Sequence, residues 1–424
     1  METRSNHKNI YVYAHWTGMK EPILMGELKV EYTRGKEIFS FSYSDSWLKS
    51  TYSQILDPEL QFYSGSQYAS DEKQNFGVFL DSSPDRWGRL LMRRREAALA
   101  RSEGRREKTL RESDYLLGVF DGHRMGALRF KENTDGPFLN NNEKLASPPW
   151  TSIKELEQIS LRLEDDEVSE DPDYFKWLMM LVNPGSSLGG ARPKASVIDN
   201  NQNLWIAKFP SKTDIKDIGG WEMVANELAS NAGLNIAVSK IQKFSSKYNT
   251  FLTKRFDRTT EGERIHYASA MTMLGYTDGT DFHDGVSYLE IVDFLTNNGA
   301  DIENDLVELW RRIVFNIFIS NTDDHLRNHG FILTEKGWIL SPVFDINPNE
   351  DGSGLSLNIS LDDNALNLDI PLEVAEFFRI NRENGLKIIE QVKKSVSTWR
   401  SVANKYQLPK SEQEFMVKVF DRFL

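Results

Sequence analysis

Apolar positions along the chain keep two different rhythms. Near the N-terminus they alternate with polar ones in short runs, IYVYAHW from Ile10, MGELKVEY from Met25 and IFSFSYS from Ile38. Alternation of that kind predicts half-buried strands joined by turns. From about Pro84 to Arg106 the spacing lengthens to that of a helix. The stretch KENTDGPFLNNNEKLASPP, Lys131 to Pro149, has the Asn, Gly and Pro content of a linker. Helix and strand then mix as far as Arg258, and KASVIDNNQNLWIAKF, Lys194 to Phe209, sets a polar turn between two apolar runs as a hairpin does. After Glu261 helical spacing dominates. Leu306, Leu309, Trp310, Ile313, Val314, Ile317 and Phe318 recur every three or four positions, which predicts a helix with one buried stripe. No internal repeat stands out. The expected division is residues 1–130 as an N-terminal α+β subdomain, 131–257 as a second mixed one, and 258–424 as a mainly helical third.

A chain of 424 residues suits two or three domains, each burying its own core. Hydrophobic content of 39% beside 27% charged residues is ordinary for a globular protein. No apolar run reaches the eighteen residues of a membrane span, and METRSNHKNIYVY lacks the apolar core of a signal peptide, so no membrane association is expected and the cytoplasm is the expected compartment. The absence of cysteine excludes disulfides, thiol catalysis and cysteine-based metal sites. A net charge of −12 argues against a general nucleic-acid surface, which needs clustered Lys and Arg. One segment departs from this: Arg86 to Arg111 is densely basic, with Trp87, Leu90, Leu91, Ala98 and Leu99 interleaved. It reads either as a solvated helix face or as a patch for an acidic partner or for DNA lying against a bound partner.

The buried helix runs straight into NTDDHLRNHGF, Asn321 to Phe331, where two adjacent aspartates, two histidines and two asparagines crowd together. Asp323 and Asn328 are spaced D-x-x-x-x-N. A kinase catalytic loop uses that spacing to set a carboxylate for a hydroxyl proton and an amide oxygen for Mg²⁺. Asp324 beside Asp323 leaves the base assignment open. The next stretch, GFILTEKGWILSPVFDINP, reads as strand, turn and strand, so that the hairpin returns Asp345 to the neighbourhood of Asn328. One carboxylate and one amide oxygen suit Mg²⁺, which takes its remaining ligands from phosphates and water. Singly, each of these residues reads equally well as a turn former.

Two further segments add to the pattern. PGSSLGGARPKA, Pro184 to Ala195, combines small residues, adjacent glycines and a lysine; it is an ordinary turn or a loop whose backbone N–H groups approach phosphate. Lys208 ends an apolar strand whose alternation puts Trp205, Ala207 and Phe209 on one face and Ile206 with Lys208 on the other. Its candidate partner is Glu222, in GGWEMVANELASNAGL, a helix that Gly233 should close. Glycine-rich loop, strand lysine, helix glutamate, D-x-x-x-x-N loop and hairpin aspartate follow the order of a bilobal kinase.

These motifs, SSLGGARPK (Ser186–Lys194), RFDR (Arg255–Arg258), NTDDHLRNHGF and SPVFDINP, with FLDSSPDRWGR (Phe79–Arg89) upstream, resemble the HipA family of bacterial Ser/Thr protein kinases, the toxins of HipBA-type toxin–antitoxin pairs. The resemblance spans nearly the whole chain. It implies an α+β, bilobal protein-kinase-like fold with an extra N-terminal α+β subdomain and a mainly helical C-lobe. It also implies ATP and Mg²⁺ as cofactors, with Asp323 as catalytic base, His325 supporting the loop, Asn328 and Asp345 on the metal, and Lys208 on phosphate with Glu222 as its partner. Gly189, Gly190, Ala191, Arg192 and Lys194 would cover the triphosphate, and Thr253, Lys254 and Phe256 would meet adenine. Ser187, with Ser186 as second choice, matches the serine that family members autophosphorylate. A phosphate there sets like charge on like charge in a loop built for ATP, and should switch the enzyme off. The implied partners are a protein substrate such as an aminoacyl-tRNA synthetase and a HipB-like helix-turn-helix antitoxin that brings the DNA. The competing expectation is a pseudokinase-like binding module acting as co-regulator with that antitoxin; the intact set of five motif residues speaks against it.

Overall fold

The computed structural model describes residues 7–141, 152–165, 169–182, 190 and 192–424. Packing divides the chain into two compact units, Met1–Ser211 with Asp257–Ala268, and Lys212–Phe256 with Ser269–Leu424. The expected cut at 130 falls inside the first of these units, and the one at 257 falls where that unit's second segment begins. Side chains on either side of residue 130 share one interior: Trp87 Nε1 donates to the Lys194 carbonyl at 3.1 Å, and the Arg101 guanidinium lies 5.9 Å from the Tyr174 ring centroid. Residues past 257 return to the same unit, where the Gly126 N–H donates to the Asp257 carboxylate at 2.9 Å and Arg264 pairs with Asp121.

In the first unit, strands β1 (His7–Ala14), β2 (Ile23–Thr33) and β3 (Lys36–Tyr43) are followed by helix α1 (Asp45–Leu48), β4 (Gln67–Tyr68), α2 (Gly77–Asp81), α3 (Arg86–Ser102), α4 (Glu112–Gly118) and β5 (Leu128–Lys131). The strands form one antiparallel sheet in the order β4-β3-β2-β1-β5. Alternation did its work here. Ile10 faces Leu28 and Leu28 faces Phe41 in register, and all three are fully buried, so apolar cross-strand pairs hold the sheet on its core face. Helices α5 (Ile153–Arg162) and α6 (Tyr174–Val182) follow, then the antiparallel hairpin of β6 (Lys194–Ile198) and β7 (Leu204–Lys208). The DNNQN turn closes on Asp199, whose carboxylate accepts the N–H groups of Asn201 and Asn203 at 2.9 Å. Trp205, Ile206 and Ala207 are all buried, so β7 is covered on both faces.

The basic run becomes α3 and the loop after it, and it is neither wholly a solvated face nor an open patch. Arg89 makes a bidentate pair with Glu112, Arg94 donates to the Leu163 carbonyl, and Arg105 pairs with Glu96. Arg93 and the residues from Arg101 to Thr109 are exposed. Part of the charge is thus consumed internally, because an apolar helix face brings its flanking arginines against acidic and carbonyl partners.

The second unit begins with α7 (Ile218–Asn231), β8 (Ser239–Lys243) and β9 (Asn249–Lys254), the two strands antiparallel. The short β10 (Tyr267–Ser269) lies where the chain re-enters this unit, ahead of α8 (Ala270–Met273), α9 (Tyr288–Asn298) and α10 (Ile302–Ile319). The hairpin of β11 (Gly330–Thr334) and β12 (Gly337–Leu340) precedes α11 (Asp369–Glu373), α12 (Arg382–Val396), α13 (Trp399–Lys405) and α14 (Lys410–Phe420). α10 is the core of this unit. All seven residues of its predicted stripe are fully buried, each contributing about 1.5–3 kcal/mol of apolar burial. As expected, α7 is closed by Gly233, whose φ of +84° suits glycine at that position. Among the described residues no helix is long and apolar enough to cross a membrane.

Candidate active site

The loop after α10 is built from its ends inward. α10 stops because Ser320 turns left-handed at φ +49°, and the Asn321 N–H closes back on the Asn316 carbonyl at 2.9 Å. Asn321 then fixes the loop on two sides: its Nδ2 donates to Asn316 Oδ1 at 3.0 Å, and its Oδ1 accepts the Asn347 N–H at 3.3 Å. The segment after β12 is held the same way. Asn349 donates through its N–H to the Ser320 carbonyl at 3.2 Å and through its Nδ2 to Thr322 Oγ1 at 2.7 Å. The hairpin therefore does lay the stretch around Asp345 along the NTDDH loop. β12 is in turn anchored to α10, since the Leu340 N–H donates to Asp305 and Arg312 donates to the Ser341 carbonyl at 2.7 Å.

The two adjacent aspartates part company here. Asp323 is exposed. Asp324 is 5% exposed, and its Oδ2 accepts three hydrogen bonds, from Tyr288 Oη and Asn316 Nδ2 at 2.6 Å each and from His329 Nε2 at 2.9 Å. Burial alone would raise the Asp324 carboxyl. The His329 ring, with the hydrogen bonds from His329 and Tyr288, outweighs that and holds it below the ordinary carboxylate range. Burial and the same carboxylate push the Tyr288 hydroxyl well above its usual value, so Tyr288 stays a donor. Asp324 is thus a brace joining α9, α10 and the head of β11.

Asn328 carries the opposite arrangement. Its Nδ2 donates to the Asp323 carbonyl at 2.7 Å, which sets which end of the amide points where. Its Oδ1 is buried and has no hydrogen-bond partner among the described residues. A buried amide oxygen left unmet costs about 1–3 kcal/mol unless something else meets it. A hard cation is one such partner. Asp345 lies at φ +59°, a conformation aspartate tolerates better than most residues, and its Oδ1 accepts Asn347 Nδ2 at 3.1 Å. Among the described residues no three His, Asp or Glu side chains gather to hold a metal by themselves. A donor set of one amide oxygen and one carboxylate fits Mg²⁺, which keeps few protein ligands, and does not fit zinc. His325 is half-buried, its N–H donating to the Asp323 carbonyl at 3.0 Å and its carbonyl accepting the Asn328 N–H at 2.8 Å. It helps shape the turn between them.

The remaining expected residues divide between the units. In the second, Glu222 is on α7 and 3% exposed, so it is no surface group. Thr253, the penultimate residue of β9, lies opposite Ser239, whose hydroxyl is 3.1 Å from its own, and the Lys254 N–H donates to the Val238 carbonyl at 2.8 Å. Phe256 stacks at a tilt on Phe344, ring centroids 5.5 Å apart, which ties this segment to the residue preceding Asp345. In the first unit, Lys208 is half-buried at the end of β7, directly across from Lys194 on β6. The Lys194 ammonium is 2% exposed and sits 2.8 Å from Asp85 Oδ2 and 3.3 Å from the Gly190 carbonyl. Arg192 is half-buried. Ser186, Ser187, Gly189 and Ala191 lie outside the described residues.

Reading the sequence missed Tyr288, Asn316 and His329 as the partners of Asp324, and Asp85 as the partner of Lys194. Asn316 left a signal: it is a polar residue inside the apolar stripe of α10, and a buried amide requires a partner.

A mixed helix and sheet fold in this order, with the polar loop between α10 and β11 and an aspartate after β12, is an α+β, protein-kinase-like architecture. Residues 186–399, just over half of the chain, match the HipA-like C-terminal domain family, and the chain belongs to that family. It is similar to the serine/threonine-protein kinase toxin HipA of Shewanella oneidensis, 25% identical over an alignment of 265 residues, with 55% of this chain and 59% of that one covered. A relative from Haemophilus influenzae is 26% identical over 179 residues, 38% of this chain and 52% of its own. The chain thus spans between about half and three fifths of the lengths of these relatives. The fold is shared with a solved structure of the Shewanella oneidensis MR-1 toxin–antitoxin system HipA, HipB and its operator DNA, at a TM-score of 0.65 and 17% identity, covering 97% of this chain and 96% of that one.

Proposed function

We propose that this chain is an ATP- and Mg²⁺-dependent serine/threonine protein kinase that acts as the toxin of a toxin–antitoxin pair. The observation that carries the reading is the unmet Oδ1 of Asn328, held beside an exposed Asp323 by a hydrogen bond to that residue's own carbonyl. The nucleotide supplies the phosphoryl group and Mg²⁺ the charge that neutralises it. Asp323 accepts the proton of the incoming hydroxyl, and its exposure leaves room for a protein substrate to reach it. Asn328 and Asp345 hold the cation. Lys208 meets phosphate with Glu222 as its partner, the glycine-rich segment through Lys194 covers the triphosphate, and Thr253, Lys254 and Phe256 face the adenine. His325 keeps Asp323 and Asn328 in one turn. Asp324, engaged by three donors, supports the base instead of competing with it.

The substrate is the hydroxyl of a protein serine or threonine, an aminoacyl-tRNA synthetase being the class the family resemblance implies. A helix-turn-helix antitoxin brings the complex to DNA, in keeping with the HipA–HipB–operator assembly of the fold neighbour. Phosphorylation of Ser187 switches the enzyme off. The test is ATP consumption by purified wild type and Asp323→Asn, with phosphoproteomics after expression of each. New Ser/Thr phosphosites with wild type alone, one of them on the Ser186–Ser187 peptide, are expected. ATP binding without turnover in wild type would favour the co-regulator reading, and full turnover by Asp323→Asn would overturn the assignment of the base.

A further inference from the structure

We propose that Asp85 is a positioning residue for the phosphate loop, acting through Lys194; this rests on the kinase reading above. Asp85 caps α3 with one carboxylate oxygen, Oδ1 accepting the Gly88 N–H at 2.7 Å, and gives the other to the Lys194 ammonium at 2.8 Å. The two side chains are 0% and 2% exposed, and 109 residues separate them. The same ammonium reaches the Gly190 carbonyl at 3.3 Å, and Trp87, two residues after Asp85, donates its Nε1 to the Lys194 carbonyl at 3.1 Å. Side chain and backbone of Lys194 are therefore both gripped by the first turn of α3, and the grip extends to the last glycine of the glycine-rich segment. Gly190 stands at φ +91°, where a side chain is strained, and an added Cβ would lie 3.4 Å from the Lys194 ammonium.

Two physical arguments give this pair a task beyond joining a helix to a strand. Removing both charges from water is expensive, and a well-packed apolar pair would serve simple cohesion as well or better. Moreover Lys194 and Lys208 are direct cross-strand partners, and like charges so placed repel. Asp85 neutralises Lys194 and draws that ammonium down onto the protein, which relieves the repulsion across the strand pair. Loop root and phosphate-binding lysine are then set by one carboxylate that touches neither nucleotide nor substrate.

The test uses the full chain and compares Asp85→Asn with the double variant Asp85→Asn/Lys194→Met, measuring ATP KM, kcat and Tm. Asp85→Asn should lower Tm and raise ATP KM about tenfold, the scale on which a displaced positioning group acts, with kcat within about threefold. The double variant removes both charges of the Asp85–Lys194 pair and should regain most of the Tm, yet its ATP KM should stay high because Gly190 remains untied. A KM that returns to the wild-type value together with Tm, or that never moves in Asp85→Asn, would reduce the pair to structural support and overturn the proposal. Should Asp85→Asn fail to fold, the double variant decides alone; should both fail, Lys194→Arg decides, an unchanged KM again refuting. Wild type without ATP turnover would sink the kinase reading and this proposal together, whereas normal wild-type turnover with unmoved KM in the variants sinks only the tie.

Discussion

Replacing each of the two adjacent aspartates by asparagine should produce opposite defects. In Asp324→Asn an amide oxygen can occupy the place of Oδ2 and still accept from Tyr288, Asn316 and His329, but without its charge. Hydrogen bonds to a charged acceptor are worth about 1.5–3 kcal/mol and neutral ones about 0.5–1.5, so three weakened bonds cost about 3 kcal/mol. Asp324→Ala leaves three buried donors unmet and should cost upwards of about 4 kcal/mol. Asp323 is exposed, and its backbone carbonyl, which receives Asn328 and His325, survives substitution. Asp323→Asn should therefore change stability by under about 0.5 kcal/mol while cutting ATP turnover by roughly 10²–10⁴-fold, the usual loss on removing a general base. Urea denaturation and ATP consumption on the three variants give both readings. The reasoning fails if Asp324→Asn is as stable as wild type, or if Asp323→Asn is destabilised to the same degree as Asp324→Asn.

Asn328→Ala should raise the Mg²⁺ concentration for half-maximal ATP turnover by about tenfold or more while costing about 1 kcal/mol of stability for the lost bond to Asp323; an unchanged Mg²⁺ titration would remove Asn328 from the metal. Burial holds His266, stacked on Trp16, down at about 3, so the folded chain keeps it neutral while the unfolded chain protonates it near 6.5. Stability should accordingly fall as pH drops from about 6.5 towards 3, by up to roughly 1.4 kcal/mol per pH unit, and His266→Gln should flatten that slope in urea melts run across the range. Arg89→Ala should lose about 1 kcal/mol with its bidentate partner Glu112, whereas Arg93→Glu, on the exposed side of the same helix, should leave the denaturation midpoint within error; equal losses would contradict the division of the basic run into tethered and free arginines.

What could be read from the sequence and what could not divides by the range of the interaction that decides each feature. The stripe of α10, the β11–β12 and β6–β7 hairpins and the closure of α7 at Gly233 follow from residues a few positions apart, and local periodicity reports them faithfully. The NTDDH loop was likewise visible as a local crowd of polar groups. Which of its aspartates is buried was not visible, because that choice is made by Tyr288 on α9 and Asn316 on α10, which arrive from different helices. The linker after residue 130 shows a related limit: a polar stretch marks where the chain is irregular, not where an interior ends, and α3 packs with residues well beyond it. Lys194 shows the same limit most clearly. A lysine four positions after paired glycines reads as a phosphate ligand while only its neighbours in sequence are considered. The carboxylate it meets at 2.8 Å is 109 residues upstream in a motif whose local role is to cap a helix, and no spacing rule connects the two. Once they are in contact, the desolvation cost of an ammonium 2% exposed requires that its charge be met within the protein first, and any service to a nucleotide has to be rendered through what that ammonium holds in place.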